Sequence, residues 1–261
     1  NYVVVTLTSG ETGEFVTEYE IKPGTVVSIT YGKNGAEVNA LYRYGTASGL
    51  FDYEGKTIGN FKMSAGIRIL DTYENRCIKI YPQRLDGTEI DPEKVLFAKT
   101  NREGMIEDLI LKDHTGDLYN YGLLTLADEV VKTVERQTTV KGTYIINVNG
   151  KESSFTTNGK IYNVSTGAVG FISQNMQSFD VLWNLKRIYE NFTSVNEVYI
   201  KSDKNTYKLS SDLQVYISEN YKYRTATISD IKDKGKFEYL PFIDRAEKDG
   251  GRVRVIIAVA K

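Results

Sequence analysis

The chain contains one histidine, His114, the residue type that most often moves protons in enzyme active sites. It lies in the segment Asp113-His114-Thr115-Gly116-Asp117, where a neighbouring acid could orient the ring. The same segment follows an apolar run that ends at Lys112, and Asp and Thr side chains readily hydrogen-bond the backbone of tight turns. The G-x-S-x-G motif of many serine hydrolases does not occur in the sequence. The segment therefore favours a turn over an active site.

Cys77, the single cysteine, lies in the strand-like segment Arg76-Cys77-Ile78-Lys79-Ile80. Because His114 could approach it in the folded chain, sequence distance alone leaves a catalytic Cys–His pair open. A small buried or half-buried thiol is the simpler interpretation. One Cys and one His are too few ligands for a structural zinc site.

Calcium needs only oxygen ligands, and two predicted turns, residues 113–117 and 202–205, each supply two suitable side chains. Neither turn matches the D-x-[DN]-x-[DN]-G loop, and Lys204 would repel a cation in the second. Segment 45–49 lacks the Gly-Lys-[Ser/Thr] ending of a phosphate loop. We therefore expect no metal, nucleotide or other cofactor.

Tyrosine is the residue type that points to a function. The sequence has 19 tyrosines, and aromatic rings with a polar tip suit sugar stacking or protein contact. Tyrosine is also common in strands, so a purely structural role competes with this interpretation. The clusters taken as a tentative contact surface are Tyr42, Tyr44 and Tyr53, then Tyr119 and Tyr121, then Tyr221 and Tyr223.

Composition excludes several function classes. The chain has 33 basic and 34 acidic side chains, a net charge of -1 and a pI of about 6.1, which removes the simplest electrostatic case for nucleic-acid binding. With so many acids, some carboxylate pair will fall at the spacing of a glycosidase in almost any fold. Such a pair has no diagnostic value. We predict that the chain is not an enzyme.

Strand patterns dominate the sequence and predict a mainly β fold. Apolar, β-branched or aromatic runs alternate with Asn-Gly, Asp-Gly and Gly-Gly turns, which is typical of hairpins. We expect two small antiparallel β-barrel or β-sandwich domains, with at most one or two short helices. The strand runs include residues 2–5, 25–31, 94–99, 105–111, 144–148, 197–200, 213–217 and 252–259.

Two segments compete for a helix. Residues 178–192 carry apolar side chains near helical spacing behind Ser178, a possible N-cap, although strands on both sides could override that periodicity. Residues 126–136 combine good helix formers with a valine stripe, and predict either a linker helix or one long exposed strand.

Arg252 and Arg254 alternate with valines near the end of the chain. Alternating strands normally carry charges on their wet face, and no third basic residue lies beside these two in the sequence. The pattern predicts a solvated face rather than an anion site.

Three segments share a strand, a polar connector ending in glycine, and another strand. Their glycines, Gly35, Gly104 and Gly251, are 69 and 147 residues apart, so the sequence shows no constant period and does not predict a solenoid or propeller. The most natural boundary falls where turn signals give way to a charged stretch. We predict β domains over residues 1–125 and 141–261, joined by a linker or long connecting strand over residues 126–140.

The chain begins at Asn1 without a basic n-region or an apolar h-region, so we expect it to be a processed or excised piece of a longer protein. No apolar run approaches the ~20 residues that a membrane helix needs. We expect a soluble piece without membrane insertion.

Several turn-and-strand phrases resemble the C-terminal β-rich region of Gram-positive cell-surface proteins that contain S-layer homology (SLH) domains. The resemblance spans most of the chain, and its motifs describe a fold family better than a function. The phrases are residues 48–53, 67–71, 84–87, 109–117, 207–216 and 250–258, together with Tyr121-Gly122.

The resemblance implies an extracellular, wall-associated parent protein that displays this β-rich part beyond its SLH modules. It brings no catalytic residues to this sequence. The function we expect is a non-catalytic structural or interaction module, whose partners would be other surface-layer proteins or wall polysaccharide. The alternative is a domain that binds or processes carbohydrate of the cell wall or extracellular matrix, through exposed tyrosines and a carboxylate pair.

Overall fold

The computed structural model describes residues 1–33, 35–42, 45–134, 137–220 and 222–261, and these form two compact units. Unit 1 comprises Asn1–Leu118 with Lys248–Gly250, and unit 2 comprises Tyr119–Glu247 with Gly251–Lys261. Strands make up most of both units, and the α-helix α1 (Ile228–Ile231) has only four residues. The predicted mainly β fold is confirmed.

Unit 1 contains two separate hairpins and one seven-stranded sheet. The hairpins pair β1 with β2 and β3 with β4, and the sheet has the order β10-β11-β7-β6-β5-β9 with β8 added to β7. Short 3-10 helices span Pro82–Leu85 and Pro92–Lys94. The strands are β1 (Tyr2–Thr6), β2 (Thr12–Val16), β3 (Val27–Gly32), β4 (Gly35–Ala40), β5 (Gly49–Asp52), β6 (Thr57–Ile58), β7 (Phe61–Tyr73), β8 (Arg76–Ile80), β9 (Glu89–Ile90), β10 (Val95–Thr100) and β11 (Ile106–Lys112).

Unit 2 contains a five-stranded sheet and a second seven-stranded sheet. Their orders are β14-β13-β12-β15-β16 and β17-β22-β23-β20-β19-β18, with β21 added to β20. The strands are β12 (Asn120–Val134), β13 (Gln137–Val148), β14 (Lys151–Thr157), β15 (Gly167–Ile172), β16 (Val181–Asn184), β17 (Lys186–Arg187), β18 (Phe192–Val195), β19 (Tyr199–Ser202), β20 (Thr206–Glu219), β21 (Lys222–Thr225), β22 (Phe237–Ile243) and β23 (Val253–Ala260).

The two seven-stranded sheets follow one plan. A long strand, β7 or β20, forms hairpins with the strands before and after it and pairs in parallel with the last strand, β11 or β23. The parallel register breaks between Met63 and Arg68 in β7 and between Leu209 and Gln214 in β20, each opposite a two-residue step. We call β5–β11 the first repeat and β18–β23 the second. The sequence had predicted antiparallel sheets, whereas each seven-stranded sheet also contains one parallel strand pair.

The duplication is visible in the sequence once the strands are aligned. Residues 61–64 (Phe-Lys-Met-Ser) correspond to residues 207–210 (Tyr-Lys-Leu-Ser), 146 positions later. Gly104 and Gly251, which are 147 residues apart, precede the equivalent strands β11 and β23. The comparison of Gly35, Gly104 and Gly251 showed no constant period because Gly35 belongs to the β3–β4 hairpin, outside both repeats.

Each repeat encloses its own apolar core, and equivalent positions fill both cores. Leu85 and Ile231, which lie in the short helices that follow β8 and β21, are both completely buried. Leu109 in β11 and Ile256 in β23 are likewise completely buried. The repeats thus share a packing scheme as well as a strand order.

Residues 178–192, for which the sequence left a helix and strands as alternatives, form no helix. This segment contains β16 and β17, and Leu182 of β16 lies opposite Phe171 of β15. Phe179 packs its ring against Phe155 and Phe171, with ring centroids 4.6 and 6.2 Å apart. The sheet partner and the aromatic cluster outweigh the local helical spacing.

Residues 126–140 do not connect two domains. Their described part forms the distal half of the β12–β13 hairpin inside unit 2, so the long exposed strand is the correct alternative and the linker helix is not. The boundary between the units falls instead at Leu118–Tyr119. The charged stretch that suggested a boundary is charged because it is exposed on a hairpin.

Equivalent core positions should carry similar energetic weight. We expect Leu85→Ala and Ile231→Ala each to lower the free energy of unfolding by about 2–5 kcal/mol, because each leaves a cavity in a close-packed core. Leu50→Ala, at a position 52% exposed, is the matched control and should cost less than about 0.5 kcal/mol. Urea denaturation measures all three, and a large loss at only one buried position would contradict the equivalence of the repeats.

Candidate functional site

The predicted tyrosine contact residues are divided between the two units. Tyr42 and Tyr223 are exposed, at 90% and 45%, and belong to different units. Tyr53 is half-buried beside the core of the first repeat. Tyr44 and Tyr221 lie outside the described residues. Of the three described positions among these five, two carry exposed rings.

Tyr119 and Tyr121 face the interior of unit 2, which corrects their assignment as contact residues. Tyr121 is buried, and Tyr119 packs edge-on against Trp183 with ring centroids 4.9 Å apart. Strand alternation did not reveal this because both faces of this part of β12 are covered.

Arg254 is almost completely buried and lies at the centre of a polar cluster in unit 2. Its Nε and Nη2 donate to Asp244 Oδ2 at 3.1 and 3.0 Å, and its Nη1 donates to Ser210 Oγ at 2.8 Å. The guanidinium carbon lies 4.6 Å from the ring centre of Tyr121, whose hydroxyl donates to the same carboxylate oxygen at 3.1 Å. Burial raises the pKa of the Tyr121 phenol, which keeps it protonated as a donor.

The solvated face predicted for Arg252 and Arg254 is therefore wrong. Both side chains are buried, and Arg252 Nη1 donates to the carbonyl of Gly251 at 2.9 Å. The alternation failed because β23 is covered on both faces, and Asp244 supplies the counter-charge that burial of Arg254 requires. A basic residue pair in a strand gives no sign of such a partner.

In unit 1, the turn that carries His114 is held by Asp71, a completely buried carboxylate that sequence reasoning did not select. Asp71 accepts hydrogen bonds from the backbone amides of Thr72, His114 and Thr115, at 3.0, 3.0 and 2.7 Å, and from Thr115 Oγ1 at 2.6 Å. Thr115 Oγ1 also accepts from the Asp117 amide, as a turn predicts. His114 itself is buried, with Nε2 3.3 Å from Thr88 Oγ1.

Arg84 completes this loop. It forms a bidentate pair with Asp117, at 2.9 and 3.0 Å, and its Nη2 also donates to the carbonyls of Thr115 and Gly250, both at 2.9 Å. Gly250 has a φ of 86°, and a Cβ there would lie 2.3 Å from the carbonyl oxygen of His114. The loop therefore needs glycine at this position. The acids around His114 serve the backbone and the arginine.

Glu190 organises the second turn considered for calcium. Its carboxylate accepts hydrogen bonds from Ser202 Oγ, from Asn205 Nδ2 at 2.8 Å and from the Tyr207 hydroxyl at 2.7 Å. The Ser202 and Tyr207 hydrogen bonds lower the pKa of this carboxyl. Its partners are donors from the protein, and within the described residues no group of three or more His, Cys, Asp or Glu side chains could hold a metal ion.

Cys77 lines a groove of about 850 Å³ within unit 1. Burial raises the pKa of its thiol to about 11, with a smaller contribution from the charge of Asp71, so the protonated thiol is the form present near neutral pH. The half-buried thiol predicted from the sequence is confirmed. The floor belongs to the first repeat and the walls to the N-terminal hairpins. Apolar lining residues include Val3, Val5, Val27, Ile29, Leu70, Phe97 and Ile110.

The distal part of the β12–β13 hairpin is an exposed element of unit 2. After Leu124 the strand β12 no longer pairs with β15. The residues of β13 that precede Gly142 do not pair with β14. We call residues 128–134 and 137–141 the arm. Val130 and Val131 on it are 43% and 56% exposed.

Comparisons with known proteins give no relative for the chain: no protein-family model, curated protein or solved structure matches it. In the part of the chain that the structure describes, no helix is both long enough and apolar enough to cross a membrane. The features of the chain that bear on its function are the groove, the exposed arm and the buried polar clusters.

The Asp71 cluster should be a major stabilising element of unit 1. Asp71→Asn replaces an acceptor of four protein hydrogen bonds by an amide whose NH₂ opposes some of those donors. We expect a loss of about 2–4 kcal/mol in the free energy of unfolding, measured by urea denaturation. Exposed Asp91→Asn, which removes a carboxylate that accepts only from the Glu93 amide, should cost less than about 1 kcal/mol. Equal costs for the two variants would contradict this role of Asp71.

The Glu190 turn should weaken in acid. Because the folded state lowers the pKa of Glu190, its contribution is fully present above the unfolded value of about 4.3 and is lost as the pH falls through the lower folded value. The stability difference between the native chain and Glu190→Gln should therefore be largest near pH 7 and shrink below pH ~4. Urea denaturation across this pH range measures it, and a difference that grows in acid would refute the assignment.

Proposed function

We propose that the chain is a non-catalytic structural and interaction module of a bacterial cell-surface, S-layer-associated protein, and that it associates with other proteins through the β12–β13 arm. The resemblance to the β-rich region of SLH-domain proteins supports the cellular setting. The exposure of the arm is the single observation that carries the interaction role.

An exposed two-stranded ribbon is an unusual element to leave uncovered. An isolated hairpin is only marginally stable in water, and native proteins usually shorten, charge or cover free strand edges. Most described side chains of the arm are exposed, on both of its faces. Val131 lies opposite Val140, so these two valines are neighbours on one face of the ribbon. Such a ribbon is suited to adding its edge to a strand of a partner.

The buried polar clusters support the non-catalytic part of the proposal. Asp71 is saturated by donors from the turn at His114, and Asp244 is engaged by Arg254 and Tyr121. These groups hold loops and strands in place. Their hydrogen-bonding capacity is used internally, whereas a general acid or base must face a reacting group.

Carbohydrate binding is the second candidate, and the exposure of Tyr42 and Tyr223 favours it. The pairing of Tyr119 and Tyr121 no longer contributes, because both rings face the interior. Of the five predicted tyrosines that the structure describes, two, Tyr42 and Tyr223, are exposed. Protein association therefore has the stronger geometric support.

We expect the chain to self-associate and the arm to be required. Val130→Asp/Val131→Asp places two charges on the ribbon without touching a core, so association should fall at least tenfold while the urea transition stays within about 0.5 kcal/mol. Sedimentation velocity over a wide concentration range measures the first, and urea denaturation the second.

Val198→Asp is the matched control, since Val198 is 66% exposed in the same unit and away from the arm. It should leave association unchanged. Binding of wall polysaccharide, measured by calorimetric titration, is the readout for the second candidate. If the chain is monomeric and binds polysaccharide equally well with and without the arm substitutions, the interaction proposal is overturned in favour of carbohydrate binding. If the chain is monomeric and does not bind polysaccharide, both candidate functions are refuted.

A further inference from the structure

One end of the second seven-stranded sheet collects basic side chains. The parallel strands β20 and β23 both end there, and their antiparallel neighbours β21 and β22 both begin there. The residues that flank these four strand ends are therefore neighbours in space. We call the basic residues at this place the basic end, and all six are exposed: Lys222, Arg224, Lys232, Lys234, Lys236 and Lys261.

Hydrogen bonds hold three of these lysines next to one another. The Lys261 amide donates to the Lys236 carbonyl at 3.0 Å, and Lys261 Nζ donates to the Lys234 carbonyl at 2.9 Å. Across the sheet, Lys222 of β21 lies opposite Glu219 of β20. Neighbouring strands are about 4.8 Å apart, so the path from β22 through β23 and β20 to β21 measures about 14 Å. One segment of a polymer can therefore reach cations on both sides of the basic end.

Acidic side chains offset only part of this charge. Six cations and the three carboxylates of Glu219, Asp230 and Asp233 leave a local net charge of +3. Of the six cations, Lys236 alone has an ion pair among the described residues, with Asp233 at 3.5 Å. The carboxylate of Asp230 accepts from the amide and the hydroxyl of Thr227, both at 2.8 Å. Most of the positive charge therefore faces solvent without a counter-charge from the chain.

The first repeat shows that the shared fold does not require these cations. The strand registers place Ile78 of the first repeat at the position of Arg224. The buried His114 occupies the position of Lys261, three residues beyond an equivalent strand pair. An apolar side chain and a buried one thus stand where the second repeat has exposed cations. The packing scheme common to both repeats does not explain Arg224 and Lys261.

We infer that the basic end binds an acidic polysaccharide, a chain of sugars that carry carboxylate or sulfate groups. Clustered cations without internal counter-ions attract a polyanion, because its binding releases condensed counter-ions. The inference goes beyond the proposed self-association, since it uses a different surface of unit 2. The choice of a polysaccharide rests on the proposed cell-surface setting of the chain.

The residue types and the charge balance suit a sparsely charged polymer. Five of the six cations are lysines, whose ammonium groups are flexible point charges that meet single anionic groups without a fixed geometry. Double-stranded DNA presents one charge per about 1.7 Å, whereas the whole chain has a net charge of -1. A basic surface limited to one end of a sheet fits a polymer with one charge per sugar better than a nucleic-acid duplex.

Dextran sulfate and uncharged dextran test the inference because they share one backbone. In isothermal titration calorimetry we expect the chain to bind dextran sulfate or the carboxylate polymer polygalacturonate, and not to bind dextran. The polyanion that binds more tightly identifies the recognised group. Binding should weaken roughly tenfold or more as the salt concentration rises from about 50 to about 200 mM. Binding of dextran as tightly as dextran sulfate, or of neither polyanion, would overturn the inference.

A triple variant locates the site. Lys232→Gln/Lys234→Gln/Lys236→Gln removes half of the cations at exposed positions, so the urea transition should be unchanged and polyanion binding should weaken roughly tenfold or more. Native affinity in this variant would refute the basic end as the binding surface. Duplex DNA that binds the native chain more tightly than both polyanions would assign a nucleic acid in place of a polysaccharide and would also refute the inference.

The matched control makes the same change in net charge at the opposite end of the same sheet. Lys186→Gln/Lys201→Gln/Lys204→Gln alters exposed lysines beside the end of β22 and the start of β20, and should bind polyanions like the native chain. Equal losses in the two triple variants would mean that overall charge attracts the polymer, and the basic end would not be a site.

Sedimentation velocity separates this inference from the proposed function. The basic-end variant should self-associate like the native chain, because its arm is intact. If it does so and neither polyanion binds the native chain, this inference fails while the proposed function stands. If the native chain is monomeric and binds a polyanion through the basic end, the proposed self-association fails and this inference stands.

Discussion

A parallel strand pair closes each repeat, and the rest of each seven-stranded sheet depends on it. β7 pairs with β11 and β20 with β23, joining segments about 40 residues apart in sequence. Parallel strands cannot be joined by a tight turn, so the intervening chain must cross over. In both repeats that crossover contains a hairpin strand, a short helix and an antiparallel strand, and it seals the core with Leu85 or Ile231.

The repeats have kept this packing while their polar residues diverged. Asp71 of the first repeat corresponds to Ile217 of the second, and Glu107 corresponds to Arg254. The first repeat uses its buried carboxylate to fix the loop after β11, whereas the second uses a buried arginine to bind Asp244. A shared apolar scheme tolerates such exchanges because Asp71 and Arg254 each have their own partners.

Local sequence patterns predicted the strands and turns better than they predicted which residues of those elements are buried. β-branched runs and Gly-containing turns identified most strands, because strand propensity and turn chemistry are properties of neighbouring residues. A helix over residues 178–192 does not form because Phe179 packs against aromatic side chains of other strands. The sequence did not reveal the burial of Arg254 because its partner, Asp244, follows a different strand, β22. Those partners are distant in sequence. The duplication was partly visible, and was obscured by one glycine from a different hairpin.

The sequence by itself determined a mainly β chain, the turn around His114 and a half-buried cysteine, because each follows from composition or from residues close together. It also showed that the usual catalytic residue types are scarce. Only the tertiary structure decided which tyrosines face outward and which arginines are buried. These features depend on contacts between strands far apart in the chain and on whether a second layer covers a given face. The sequence of one strand determines neither.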